Sequence, residues 1–347
     1  MSEPVRARLG MILLVLFFVA LPLSTAAQEI VLGGALLYAA ARPTRARLWQ
    51  EPWGRAALAA AVVWVLLVGA SGDLREGLGH AWLLAPLAVV PALTRAEDRA
   101  TVERFGLLAA VGAAVWAIGQ RATGAVGVAG FSHHLSLAYA LLPALGVALV
   151  TRRWAHAALL SAGILATGSE GAWLALAVTI VATQTRRPAT SLFVGALALV
   201  ALLAVADAEE LRQRAILWTG GLTVASAGAA GPGGYAVASA PAYDLLAPGF
   251  WFPNHAHDSA VQLLAVLGPV GLVATLGLAL LGLRHGALGP AAGLAGVLVG
   301  ALTQDVLGDL EVARAAWAWL ALYGGAHATR IPRSGNPSGS TDTEDGC

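Results

Sequence analysis

Lysine is missing from this 347-residue chain, and charge of any kind is scarce. Charged residues make up 12% of it, against roughly 25% in an ordinary soluble domain. Hydrophobic residues reach 58%. That balance excludes a soluble globular body. A single cysteine, Cys347, excludes an intramolecular disulfide. Strand-like alternation of polar and apolar residues is missing too, which excludes a transmembrane β-barrel. Without lysine, the glycine cluster at 228–234 lacks the Lys-Ser/Thr ending of a phosphate-binding P-loop, so no nucleotide is implied. The net charge of +1 gives no reason to expect a nucleic-acid partner.

What the chain has in quantity is long apolar runs. A hydrocarbon core of about 30 Å needs about 20 apolar residues per helix. Twelve stretches fit or approach that length: 9–27, 28–41, 56–71, 77–94, 104–120, 132–151, 154–168, 170–185, 189–206, 258–283, 286–304 and 311–327. The expectation is an all-α, polytopic integral membrane protein with about 12 transmembrane helices and one large outer loop. Residues 1–206 hold the first nine helices, 207–257 the loop, 258–329 the last three, and 330–347 a disordered cytoplasmic tail. The N-terminus imitates a secretory signal, with arginines, an apolar run and Ser24-Thr25-Ala26-Ala27, but reads better as a first span.

Arginine placement orients the spans. With the N-terminus inside, sixteen of the 21 arginines fall on inner loops and five outside: Arg75, Arg121, Arg212, Arg214 and Arg314. The positive-inside rule supports this arrangement. It puts residues 207–257 outside.

That outer segment opens with Asp207, followed by Glu210 three residues on, the spacing of a capping box. Leu211, Ala215, Trp218 and Leu222 share a helical face, so an amphipathic helix on the outer membrane surface is expected, with Glu210 and Arg214 paired four apart. The segment ends at Pro253-Asn254-His255-Ala256-His257-Asp258, where two histidines and a carboxylate meet the mouth of a span. An imidazole near pH 7 can act as a general base, and Asp258 can either orient it or cap the following helix. An interfacial pair bonded to loop backbone is the bland alternative. Zinc is disfavoured because His-x-His supplies two ligands and nothing nominates a third. His134, Asp305, Arg121 and Glu170 are further outer-side polar groups that could face the same cavity.

Three stretches together carry a resemblance. His257-Asp258, nine residues, then Gly268-Pro269-Val270-Gly271 is the first. Arg214 through Trp218, followed by Gly231-Pro232-Gly233-Gly234, is the second, and Thr167-Gly168-Ser169-Glu170-Gly171-Ala172-Trp173 is the third. The opening Ala20-Leu21-Pro22-Leu23-Ser24 agrees with them. The chain resembles the O-antigen ligase and O-antigen polymerase superfamily. The resemblance implies a bacterial inner-membrane enzyme with a periplasmic active face. Such enzymes transfer a glycan from undecaprenyl diphosphate to a glycan, lipid or protein acceptor, with no cofactor.

On that resemblance, His257 is the catalytic base with Asp258 beside it. Arg214 and Arg212 bind the donor diphosphate, with His255 and Gln262 as further substrate contacts. Three positions depart from the family pattern: Glu170 replaces an arginine, Asp258 an asparagine, and Val266 a glutamate. The first also leaves room for a catalytically inactive relative. A lipid-linked-glycan transporter is the rival from another class. It would be expected to show inverted repeats and a helix broken at the midplane, and no internal repeat is evident.

Overall fold

A computed structural model of the chain describes residues 3–41, 52–71, 78, 82–127, 129, 133–204, 207–231, 234–249, 256–307 and 309–323. Among these residues the fold is all-helical, 83% helix with no strand. The first half contains α1 (Glu3–Ala20), α2 (Thr25–Ala40), α3 (Pro52–Ser71), a 3-10 turn at Trp82–Leu84, α4 (Ala85–Leu93), α5 (Arg99–Ala122), α6 (His134–Val150) and α7 (Trp154–Ala166). The second half contains α8 (Glu170–Thr185), α9 (Pro188–Ala204), α10 (Ala208–Ala227), α11 (Tyr235–Leu246), α12 (Ser259–His285), α13 (Leu288–Gly300) and α14 (Leu310–Tyr323).

A helix occupies each of the twelve expected stretches, and two more lie in the outer segment. Two of the described helices, α5 and α12, are long and apolar enough to cross a membrane. The helices α7 and α13, at 13 residues each, span about 20 Å, short of a hydrocarbon core. Outward faces are apolar: Ile30, Leu37, Leu66 and Val273 are all two-thirds exposed or more. Such a surface is compatible with a bilayer.

Three helices form the centre. Residues Ser136 to Ala148 of α6, Gly289 to Gly300 of α13 and Glu311 to Leu322 of α14 are buried without a break. A helix apolar on every side is covered on every side. Glycines on α13 make this possible. A Cβ at Gly293 would stand 2.4 Å from the Pro143 Cα, and one at Gly300 would stand 2.1 Å from the Tyr139 ring. A Cβ at Gly296 would meet Thr179 Oγ1 at 2.3 Å. Small residues bring backbones together where no side chain could fit.

Two polar clasps tie the periphery to this centre. At one end, Glu103 on α5 accepts Arg153 Nη2 at 2.9 Å and the Tyr323 hydroxyl, with Arg99 lying over the Tyr323 ring. Toward the other end, Arg314 of α14 is 1% exposed and pairs with Glu29 at 3.2 Å, while the Thr25 hydroxyl donates to Glu311. Arg314 Nε and Nη1 have no hydrogen-bond partner among the described residues.

The segment that follows α9 departs from expectation at its first cap. Asp207 occupies the N-cap position of α10 but its side chain caps nothing, so the capping box does not form. The Glu210 side chain lies outside the described residues. Leu211, Ala215 and Leu222, on the face expected to lie against the membrane surface, are exposed, while Ile216, Leu217, Gly220, Gly221 and Val224 are buried against the protein. The reason is close approach. A Cβ at Gly220 would stand 2.3 Å from the Tyr243 ring, and one at Gly221 2.5 Å from Val261.

Helix α12 is also not the continuous span expected. It breaks at Gly268 (φ 69°, ψ −177°), a conformation that only glycine adopts freely. Pro269 then has no N–H for the carbonyl of Ala265. The carbonyls of Ala265 and Val266 are met by the N–H groups of Ala230 (2.8 Å) and Gly231 (3.1 Å). The start of the glycine cluster, residues 228–231, therefore docks into the broken helix.

Candidate functional site

The outer connection between α13 and α14, residues 301–309, is where the polar groups gather. Ser259, the first residue of α12 and fully buried, is bonded to it three times. Its N–H donates to Ala301 O (2.8 Å), its hydroxyl donates to Gln304 O (3.0 Å) and accepts from Leu307 N (3.1 Å). At the far end Asp309 caps α14 through Glu311 N (2.8 Å) and accepts the Ser136 hydroxyl of α6. The heads of α6, α12 and α14 are thus tied to one turn.

His257 and Asp258 stand directly before Ser259. His257 is half-buried with φ 52°, a left-handed backbone that costs a non-glycine residue about 1 kcal/mol. Asp258 is buried and caps α12, accepting from Val261 N at 2.9 Å. Lying just ahead of α12, its carboxyl is pushed above the ordinary range by burial, an effect the Val261 and Ala260 N–H groups partly offset. Of the two roles open to Asp258, capping is the one observed. Gln262 is committed as well, since its side-chain carbonyl accepts Ala256 N at 2.9 Å and closes the loop before the helix. His255 lies outside the described residues.

Arg214 reaches the same corner from α10. The Tyr139 hydroxyl on α6 faces those of Ser169 and Thr303 and sits in the field of the Arg214 guanidinium. It is buried and closes no hydrogen bond of good geometry. A Cβ at Gly171 would stand 2.9 Å from that hydroxyl and 3.1 Å from Thr303 Oγ1, so glycine in the 167–173 turn admits Tyr139. Nearby, the Tyr235 hydroxyl of α11 bonds Tyr243 at 2.8 Å and feels the charge of Asp305. The structure therefore gathers the Arg214, Ser169, Thr303 and Asp305 stretches around one turn, with His257 and Asp258 at its edge.

No protein-family model and no curated protein matches the chain. The chemistry must be read from the arrangement itself.

Several expected site residues stand apart from this corner. Arg212 is exposed and held by Glu209 on its own helix, with Nε–Oε2 at 2.9 Å and Nη2–Oε1 at 3.0 Å. That pairing, with a further bond from Gln213, holds the Glu209 carboxyl down at about 2. Glu170 is exposed on the first turn of α8, where a negative charge suits the helix dipole, and has no ion pair among the described residues. Arg314 pairs with Glu29 and not with Glu170, and Arg121 is exposed at the end of α5. His134 opens α6 with its ring 4.1 Å from that of His133, whose Nδ1 accepts Leu135 N. Among the described residues no three His, Cys, Asp or Glu side chains cluster as metal ligands.

Ser259, Tyr139 and Thr303 escaped the sequence reading. A serine directly after the His-Asp pair was visible as a helix-start residue. Nothing in the sequence marked Tyr139 or Thr303, which acquire their place through α13 glycines and a turn far along the chain.

Proposed function

We propose that this chain is a membrane glycosyltransferase of the O-antigen ligase and polymerase type, acting on the outer face of the bacterial inner membrane. It would move a glycan from undecaprenyl diphosphate to an acceptor hydroxyl. The observation that carries this reading is convergence. The 167–173 turn and the head of α12 come from separate stretches, yet both border the 301–309 turn, and the Arg214 charge acts on Tyr139 beside it.

In this reading Arg214 faces the donor diphosphate and stabilises the charge that develops on the leaving group. His257 takes the proton from the acceptor hydroxyl as it attacks the anomeric carbon. Asp258 fixes the start of α12 and thereby the position of His257. It is a positioning residue. The hydroxyls of Ser169, Thr303 and Tyr139 line the wall beneath Arg214. Arg212 and Gln262, tied to Glu209 and to Ala256, are left out of the donor site.

The break in α12 favours a second reading, a transporter for lipid-linked glycans, since unwound helices often carry substrate or ion sites. In such sites freed carbonyls face the ligand. Here both are taken by the 228–231 loop, which supports the transferase reading instead. The deciding experiment gives purified protein a lipid-linked glycan with and without acceptor. Acceptor-dependent release of undecaprenyl diphosphate is expected. Movement of the intact lipid-linked glycan across a vesicle bilayer, without release, would establish the transporter.

A further inference from the structure

We infer that α10 and α11 form a lid over the outer corner, latched by residues 228–231 in the break of α12, and that a lipid-linked substrate enters when the latch releases. The mention of substrate rests on the transferase reading; the lid itself does not.

The hairpin is built to move as one piece. It has a small core of its own, Ile216, Leu217 and Tyr243 with Ala247 against them, separate from the main core. The Tyr243 hydroxyl bonds Tyr235 at 2.8 Å and Leu217 O at 3.0 Å, so both helices stay together. Among the described elements α11 packs substantially only on α10, and α10 only on α11 and α12. Val224 and Tyr235 are its buried footholds on the main core.

The latch is short and made of backbone. Gly228 (φ 111°) and Gly231 (φ 75°) bracket it, both in the region that favours glycine. Between them the Ala229 Cβ lies 3.7 Å from the position a Cβ on Gly268 would occupy. The two accepting carbonyls lie six and seven residues into α12, about 10 Å below its outer end. A continuous helix would satisfy those carbonyls itself and offer the loop nothing. The Gly268–Pro269 break creates the socket. When the latch leaves, the carbonyls need other donors, and the hydroxyls of a glycan or water can provide them. Arg214 rides on α10, so opening withdraws the guanidinium from Tyr139 and closing returns it.

The test locks and loosens the lid in full-length protein carrying Cys347→Ser. Gly221→Cys with Ala256→Cys, in a Val261→Ala background that removes the side chain a Cβ at 221 would meet at 2.5 Å, puts two Cβ positions 3.1 Å apart, slightly inside disulfide spacing. Pro269→Ala returns an N–H to Ala265 O and removes one of the latch's acceptors. Hydrogen exchange at the Ala230 and Gly231 amides is measured in nanodiscs. Exchange should slow by about tenfold or more on oxidation, recover with reductant, and quicken by about tenfold in Pro269→Ala. Glycan transfer should fall on oxidation and return on reduction. Exchange that ignores both the cross-link and Pro269→Ala overturns the lid, as does full transfer by the oxidised protein. If no form transfers glycan but exchange follows the lock, the lid stands and the transferase reading falls.

Discussion

Ser259 offers the sharpest test of how the outer corner is held. Truncation to alanine removes the hydroxyl that spans Gln304 O and Leu307 N while leaving the Ser259 N–H to Ala301 O bond in place. Each hydrogen bond is worth about 0.5–1.5 kcal/mol net, and an orphaned buried N–H such as that of Leu307 adds about 1–3 kcal/mol. The sum, allowing for overlap, is about 2–4 kcal/mol. Better helix propensity of alanine returns only a few tenths of a kcal/mol, too little to offset it. At roughly 2 °C per kcal/mol for a large chain, the apparent Tm in detergent should drop by about 4–8 °C. Glycan transfer measured well below the transition should drop as well, because the head of α12 and His257 lose their anchor to the turn. A Tm within about 1 °C of the parent, with transfer unchanged, would refute the claim that this serine is the strut.

Four further outcomes follow from the same geometry. His257→Ala should cut turnover by about 10²–10⁴ with expression and folding intact; a smaller loss returns the histidine to a structural role. Asp258→Asn keeps the cap on Val261 N and removes a carboxyl whose pKa burial raises above its ordinary 3.8. A raised folded-state pKa means stability present below 3.8 and lost as pH climbs through the folded value, so the parent Tm should decline across that acidic window and the variant's should not; parallel Tm–pH curves would contradict this. Glu29→Gln leaves the buried Arg314 cation without its carboxylate and should cost about 3 kcal/mol, and adding Arg314→Met should recover part of it in thermal unfolding. Glu170→Arg should preserve or improve donor binding measured by calorimetry, since the exposed carboxylate has no described ion pair to lose; abolished activity would make Glu170 the better candidate base.

The helices were legible because apolar runs and arginine clusters mark their bodies and ends, and all twelve expected stretches carry one. Faces were harder. On α10 the apolar pattern marked Leu211 and Leu222 for the membrane surface, while the side packed on the protein is set by Gly220 and Gly221, which let Tyr243 and Val261 come close. Hydrophobicity does not register a contact made by the absence of a side chain. The break in α12 was written plainly as Gly268-Pro269, but its consequence was not, because the rescuing N–H groups come from 35 residues earlier, at Ala230 and Gly231. Arg214 was found from the family-like motif. Its neighbours Tyr139 and Thr303 were not, since their meeting depends on turns that sequence spacing does not fix.

The bareness of α13 has a consequence for how this protein can vary. Where Gly289, Gly293, Gly296 and Gly300 face their neighbours, surfaces meet main chain to main chain or main chain to ring. Such surfaces have no rotamers to adjust, so they cannot absorb an error by local repacking. One added methyl there has to be accommodated by sliding a whole helix. The nearest free end of α13 is the turn that carries Thr303 and Asp305 and receives Ser259. Substitutions deep in the bundle, far from any polar group, should therefore be read out as misalignment at the outer rim before they are read out as unfolding. The least chemically distinctive helix of the chain sets the tolerance to which its polar corner is built.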